Sequence, residues 1–234
     1  MKILPYITLQ LLLVNLLHAE SLKPIMNLPG KVVMEEKYND GNPVLIEEIN
    51  DRRKGNWLIK SGQAAYQGKA LHLTPPSEEE AKAHEKKNAT HTRAFIRQAP
   101  ADNIISFRFK LVSNAKDKRP PRFFYENGHY KVRINGRVDG VGVVLGKEVK
   151  AESDFSIKAD TWYETMLEVR GDEVVARFAG GPTLYVKDPS IRQERIGVQL
   201  LALGYGGILL DDVVIREAAG QTKGWEALRA KLSQ

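Results

Sequence analysis

Two-residue alternation of apolar and polar side chains, cut every few residues by Gly, Asp or Pro, runs through Thr161–Ala218. That period matches the pleat of a β-strand and not the turn of a helix. In Trp162–Arg170 one face takes Tyr163, Thr165, Leu167 and Val169, and the other takes Trp162, Glu164, Met166, Glu168 and Arg170. A mostly apolar face opposite a mixed one suits a strand that covers a core on one side. Arg170-Gly171-Asp172-Glu173 then supplies a tight turn, because Gly and Asp tolerate positive φ; the Arg-Gly-Asp tripeptide is read as this turn and not as an adhesion signal. Val174, Ala176 and Phe178 resume an apolar face, and Gly180-Gly181-Pro182 ends the run. Thr183–Val186, Ile196–Leu200 and Ile208–Ile215 complete the set, with Asp211-Asp212 marking a bulge in the last.

The earlier part follows the same pattern. Trp57–Lys60 and Ala70–Thr74 are expected to pair as a hairpin, and Ile104–Val112 alternates Ile105, Phe107, Phe109 and Leu111 against Arg108 and Lys110. Tyr130–Ile134 and Val141–Leu145 flank Asn135-Gly136, a hairpin dipeptide. Ten to twelve short strands with this punctuation predict one all-β domain, an antiparallel β-sandwich of jelly-roll type. Two segments break the rule. Ser77–Lys87 opens with a capping box, Ser77 and Glu80, and predicts a short inserted helix, either a solvated insertion or a rim that contributes His84. Gly220–Gln234 spaces Trp225, Leu228 and Leu232 as one stripe of an amphipathic helix, which packs on the sandwich or docks a partner. The expected organisation is a signal peptide over 1–19, a leader with a first strand over 20–43, the jelly roll over 44–218 and a helical tail over 219–234. Ser113–Arg122 is polar and Pro-interrupted, a loop between strands.

Met1–Ala19 carries one early charge, Lys2, then an apolar run to Leu17, and closes on Leu17-His18-Ala19. This is the organisation of a secretory signal cleaved after Ala19. The run is shorter than the ~20 residues of a bilayer-spanning helix and holds Pro5, Gln10 and Asn15, so no membrane span is expected after cleavage. The predicted address is periplasmic or extracellular. The chain has no cysteine, which excludes disulfides, thiolate metal sites and a cysteine nucleophile. Loss of Lys2 with the signal lowers the net charge from +6 to +5. The basic residues are interspersed with acidic ones, so nucleic acid is not an expected partner, whereas an acidic glycan or cell surface suits the balance. Asn88-Ala89-Thr90 is a glycosylation sequon, meaningful only where the host glycosylates exported chains. Nothing in the sequence specifies an oligomeric state.

The order Ile49-Asn50-Asp51, Trp57, Ser106–Phe109, Gly128–Val132, Trp162, Ile196–Gln199 and Asp211–Val213 resembles the 3-keto-disaccharide hydrolase-like domain family. The resemblance covers about Val44–Ala218. It implies a concanavalin-like, laminin-G-like jelly roll related in fold to family 16 glycoside hydrolases. Family 16 enzymes present Glu-x-Asp-x-x-Glu on one strand. The nearest run here is Glu152-Ser153-Asp154, with Ile157 in place of the second Glu, so the two-carboxylate mechanism is not expected. Members acting on 3-keto sugars exploit the acidified C–H beside the ketone, which calls for a base and an oxyanion stabiliser.

Candidates for such chemistry are His129, aimed by the Asn127-Gly128 turn, with Arg108 and Arg133 as electrophilic partners. Tyr125, in a segment read as an exposed loop, Tyr130 and Trp162 are candidates for stacking on sugar rings, and His91 and Arg93 for polar contacts at a strand start. No metal site is expected. Asn39–Asn42 and Asp211-Asp212 offer calcium oxygens, though such clusters form turns first. Three functions stay open at this point: an exported jelly roll that recognises carbohydrate without catalysis, a hydrolase or lyase acting on 3-keto-glycosides, and a structural or adhesion module using the Trp225 tail.

Overall fold

The computed structural model describes residues 21–38, 57–76, 91–96, 99–114, 121–127, 130–135, 140–192, 198–203 and 206–234. The predicted signal, the inserted helix over 77–87, Asn39–Asn42, the sequon and His129 lie outside the described residues.

Among the described residues, strands build two antiparallel sheets. An eight-stranded sheet has the order β13 (Thr183–Lys187), β12 (Glu173–Phe178), β11 (Trp162–Arg170), β6 (Asn103–Leu111), β15 (Ile208–Gln221), β4 (Ala70–Thr74) and β3 (Gln63–Gln67), and β1 (Asn27–Glu36) also pairs with β15. A seven-stranded sheet runs β10 (Glu148–Ser153), β9 (Val141–Leu145), β8 (Tyr130–Ile134), β7 (Arg122–Asn127), β14 (Val198–Leu203), β5 (His91–Ile96) and β2 (Trp57–Ser61). The predicted all-β sandwich is the observed fold, with one helix, α1 (Trp225–Leu232), near the C-terminus.

Alternation decides which side chains meet between the sheets. Ile105, Phe107, Phe109 and Leu111 of β6 face inward, as do Leu167 and Val169 of β11. The other sheet answers with Phe123 and Tyr125 of β7, Tyr130, Val132 and Ile134 of β8, and Val198, Leu200 and Ala202 of β14. Rings lock the two layers. Phe123 packs edge-on to Phe107 and stacks on Phe109, each at 5.8 Å between centroids, and Phe109 stacks on Tyr163. Each buried ring contributes on the order of 2–3 kcal/mol.

Several local expectations hold. Arg170 pairs with Glu173 across a turn whose Gly171 sits at φ +56°, and Asp102 accepts the Gly171 N–H at 2.9 Å. The register of β15 slips between Asp211 and Val214, with Asp212 at φ +50°, so the Asp-Asp pair is a bulge. The bulge divides the strand. Ile208–Leu210 pairs with β4, and beyond it Val213–Gln221 pairs with β1.

Three expectations need correction. Trp57–Lys60 and Ala70–Thr74 are not a hairpin: β2 joins β5 in one sheet, while β4 pairs with β3 in the other. The chain crosses between the sheets at Gly62, at φ +76°, where a Cβ would lie 2.4 Å from Thr92 Oγ1 and 2.6 Å from the Thr74 carbonyl. Only glycine fits that corner. The β8–β9 hairpin exists, but Ile134 pairs with Val141, so residues 135–140 connect the strands in place of a two-residue Asn-Gly turn. Tyr125 is in no exposed loop. It lies on β7, and its hydroxyl sits 3.4 Å from that of Tyr130 in the core.

The two ends of the described chain cover the outer face of the eight-stranded sheet. Glu168 and Val175 point outward there, and both are buried. Residues 22–27 cross the strands as a strap. Ile25 N–H donates to Glu168 Oε1 at 2.8 Å, while Met26 and Asn27 N–H donate to Oε2 at 3.0 and 2.7 Å. Leu22 N–H donates to Glu164, and Arg177 donates to the Lys23 carbonyl. Helix α1 then places Trp225 against Met26 and Val175, with Tyr185 edge-on to the indole at 5.6 Å. The apolar side of this predicted tail helix therefore packs on its own sheet.

Burial pushes the Glu168 carboxyl above its ordinary value, against the pull of three N–H donors and Arg177. A raised carboxyl in the folded state favours folding below its unfolded value and loses that contribution as pH rises through the folded one. Glu168→Gln presents an amide NH2 to at least one backbone donor and should cost about 2 kcal/mol at neutral pH. Denaturant melts of both proteins at pH 4 and pH 7 check this: the gap should widen in acid, and a narrowing gap would show a carboxylate held ionised by its donors. Tyr125→Phe removes one buried hydroxyl contact and should cost about 1 kcal/mol in the same assay.

Candidate functional site

The outward positions of the seven-stranded sheet form rows because antiparallel pairing places partners side by side. One row reads Arg93 on β5, Leu201 on β14, Phe124 on β7, Arg133 on β8, Gly142 on β9 and Glu152 on β10. The next reads Leu58, Phe95, Gln199, Glu126, Lys131 and Val144. A third holds His91, Leu203 and Arg122. Each outward residue follows from parity, since Ala94, Leu200, Tyr125 and Val132 beside them face the core.

These side chains are more enclosed than an ordinary outer face. Gln199, Glu126 and Leu201 are 6%, 7% and 8% exposed. Gln199 Nε2 donates to Glu126 Oε2 at 2.6 Å, and Lys131 Nζ lies 2.7 Å from Oε1, so both carboxylate oxygens of Glu126 are engaged. Arg133 Nη2 donates to Glu152 Oε2 at 3.3 Å. Gly142 leaves room for that guanidinium, since a Cβ there would lie 3.4 Å from Arg133 Nη2 and 3.1 Å from the Ala151 carbonyl.

Polar atoms remain unsatisfied among these contacts. Arg93 Nε, Arg133 Nε and Gln199 Oε1 are buried without a hydrogen-bond partner. Other orphans, such as Thr92 Oγ1 and Asn127 Oδ1, stand at inward positions of the same sheet. Buried polar groups are nearly always paired, so donors and an acceptor left over on an outward face suit a polar ligand. Leu201 and Phe124 lie between the two arginines in their row and offer an apolar floor.

The predicted site residues separate. His91, Arg93 and Arg133 share this face. Arg108 and Trp162 lie on the outer face of the opposite sheet, the far side of the sandwich, so Arg108 and Arg133 cannot meet one substrate. There Arg108 sits 5.0 Å over the Trp162 ring with Lys110 at 5.4 Å. Its guanidinium reaches Asp211 at 3.5 Å and Asp212 at 3.4 Å. Burial, and secondarily the charge of Asp212, holds the Asp211 carboxyl above its usual value. Both carboxylates thus lie within ion-pair distance of Arg108. Tyr125 and Tyr130 are core residues at 1% and 0% exposure and offer no ring to a sugar. Sequence reasoning missed Phe124, Glu126, Gln199 and Leu201. The Arg122–Asn127 run, RFFYEN, contained the signal: with Tyr125 inside, Phe124 and Glu126 must face out.

No family model matches the chain, and no curated protein sequence matches it. Solved structures do. A protein of unknown function with a galectin-like fold from Bacillus subtilis superposes at a TM-score of 0.58 and 12% identity, covering 82% of this chain and 98% of that one. A sialidase gives 0.56 and 11% over 82% of this chain, though over 19% of its own length. The exoplasmic/lumenal domain of VIP36 in its calcium- and Man2-bound form gives 0.53 and 8%, covering 78% of this chain and 89% of that one. At these identities the likeness is one of architecture, and it establishes that this chain has a galectin-like β-sandwich fold.

Proposed function

We propose that the protein is an exported carbohydrate-recognition domain that binds a saccharide on the outer face of its seven-stranded sheet and does not cleave it. The observation that carries this is the set of unsatisfied buried atoms on Arg93, Arg133 and Gln199 beside Phe124 and Leu201. Sugars present hydroxyls to the guanidinium and amide groups that carry these atoms, and C–H faces to such an apolar floor. The opposite face is unsuited, because the strap and α1 cover one part of it and Arg108, Lys110 and Trp162 engage one another on another. Among the similar folds are the VIP36 domain with bound Man2 and the carbohydrate recognition domain of Emp46p. Binding without turnover is favoured because the Glu152-Ser153-Asp154 run lacks the second glutamate of the two-carboxylate pattern: Ile157, at that position, is a core residue.

A glycan array followed by calorimetry tests this. Arg133→Ala and Phe124→Ala should each weaken the best ligand about 10- to 100-fold, on the order of 1.4–2.8 kcal/mol, while Trp162→Ala should leave it unchanged. Loss of binding in Trp162→Ala alone would move the site to the other sheet, and no binding on the array would remove the proposal. Free sugar released from a 3-keto-disaccharide by the same sample would replace it with the hydrolase implied by the resemblance.

Export belongs to the same proposal. Cleavage after Ala19 would free a new terminus just ahead of Leu22, the first strap residue hydrogen-bonded to the sheet. N-terminal sequencing of the exported protein should begin at Glu20, and a start within residues 22–27 would mean the strap is removed.

A further inference from the structure

We infer that the saccharide held on the seven-stranded sheet is an acidic one, a chain of two or three sugar rings bearing carboxylates. This deepens the proposed function and rests on it. The charges on the face decide the class. Its acidic side chains are already neutralised: Glu126 by Lys131 at 2.7 Å and Gln199, and Glu152 by Arg133 at 3.3 Å. Among the described residues neither Arg93 nor Arg122 has an acidic partner. Arg93 also keeps its buried Nε unsatisfied, and a guanidinium in that state recognises a planar oxyanion better than a hydroxyl.

Geometry sets the length. Arg93 and Arg133 lie three strands apart in one row, so their backbones are about 14 Å apart at ~4.8 Å per strand. Leu201 and Phe124 fill the two positions between them. Arg122 stands two residues from Phe124 on the same strand, facing the same side. A ring seated over Phe124 would have Arg122 at one edge and Arg133 at another, and a neighbouring ring over Leu201 would reach Arg93. Neutral chains would leave the Arg93 and Arg122 charges uncompensated, whereas a uronate chain supplies one carboxylate per acidic ring.

The test uses full-length secreted protein and titrates trigalacturonate, an alginate trimer and a hyaluronan tetrasaccharide. Each is compared with its carboxyl-reduced counterpart, which keeps linkage and ring while replacing the carboxylate by a hydroxymethyl group. At least one acidic chain should bind ten-fold or more tighter than its reduced form, with the preference shrinking between 50 and 300 mM salt. Arg93→Gln and Arg122→Gln should each weaken the acidic chain several-fold more than they weaken its reduced form. Thermal melts confirm that both variants are folded, and Arg122→Gln, at a side chain with no buried unpaired atom, guards against a folding defect in the other. Equal or tighter binding of the reduced chains, sensitive to Phe124→Ala, would overturn the acidic assignment and keep the carbohydrate site. Binding of no acidic, reduced or neutral glycan would overturn both.

Discussion

The contact of Phe123 with Phe107 and Phe109 is the joint on which the molecule depends. These rings come from different sheets, β7 on one side and the central β6 on the other, and their interlocking fixes which face of each strand is interior. Once that parity is set, alternation assigns residues along the fifteen described strands to the core or to an outer face, except where a bulge resets it, as at Asp212. A one-residue slip of β7 would bury Phe124 and Glu126 and expose Phe123 and Tyr125. Such a slip places a carboxylate in an apolar core, a cost the correct register avoids.

The two outer faces that result are treated differently. On the eight-stranded sheet, a carboxylate in mid-strand is matched by three successive backbone N–H groups of the strap, so Glu168 acts as a clip for residues 25–27. Trp225 of α1 closes over the same region beside Met26. The two termini of the described chain thus stabilise the fold by covering one face. The other sheet keeps an outward set of arginines, amides and rings whose polar atoms are only partly matched. That asymmetry, and not any single residue, separates a covered face from the face proposed for recognition.

Part of the candidate site was legible along the chain. The sequence points to His91 and Arg93 as polar contacts at a strand start and to Arg133 as an electrophilic partner, and these three share a face, whereas Arg108, expected beside Arg133, lies on the opposite sheet. Tyr125, Tyr130 and Trp162 were grouped as an aromatic platform because tyrosine and tryptophan favour sugar contacts. Their grouping failed on parity, since two point into the core and one lies on the opposite sheet. Phe124, Gln199 and Glu126 were passed over for a related reason. Gln199 lies 73 residues from Glu126, and it joins Phe124 and Glu126 only because β14 inserts between β5 and β7, a neighbour order that no local pattern encodes.

Alternation, turn residues and the absence of cysteine were enough to specify an antiparallel sandwich stabilised by its core, the Gly171 and Asp212 irregularities and a C-terminal amphipathic helix. These are local properties, set by backbone sterics and by the spacing of apolar side chains over a few residues. Strand order, the crossing at Gly62, the strap beneath Trp225 and the opposed placement of Arg108 and Arg133 were decided only in three dimensions. They depend on long-range pairing, where the free energy of burying one face selects among registers that the local sequence leaves equivalent.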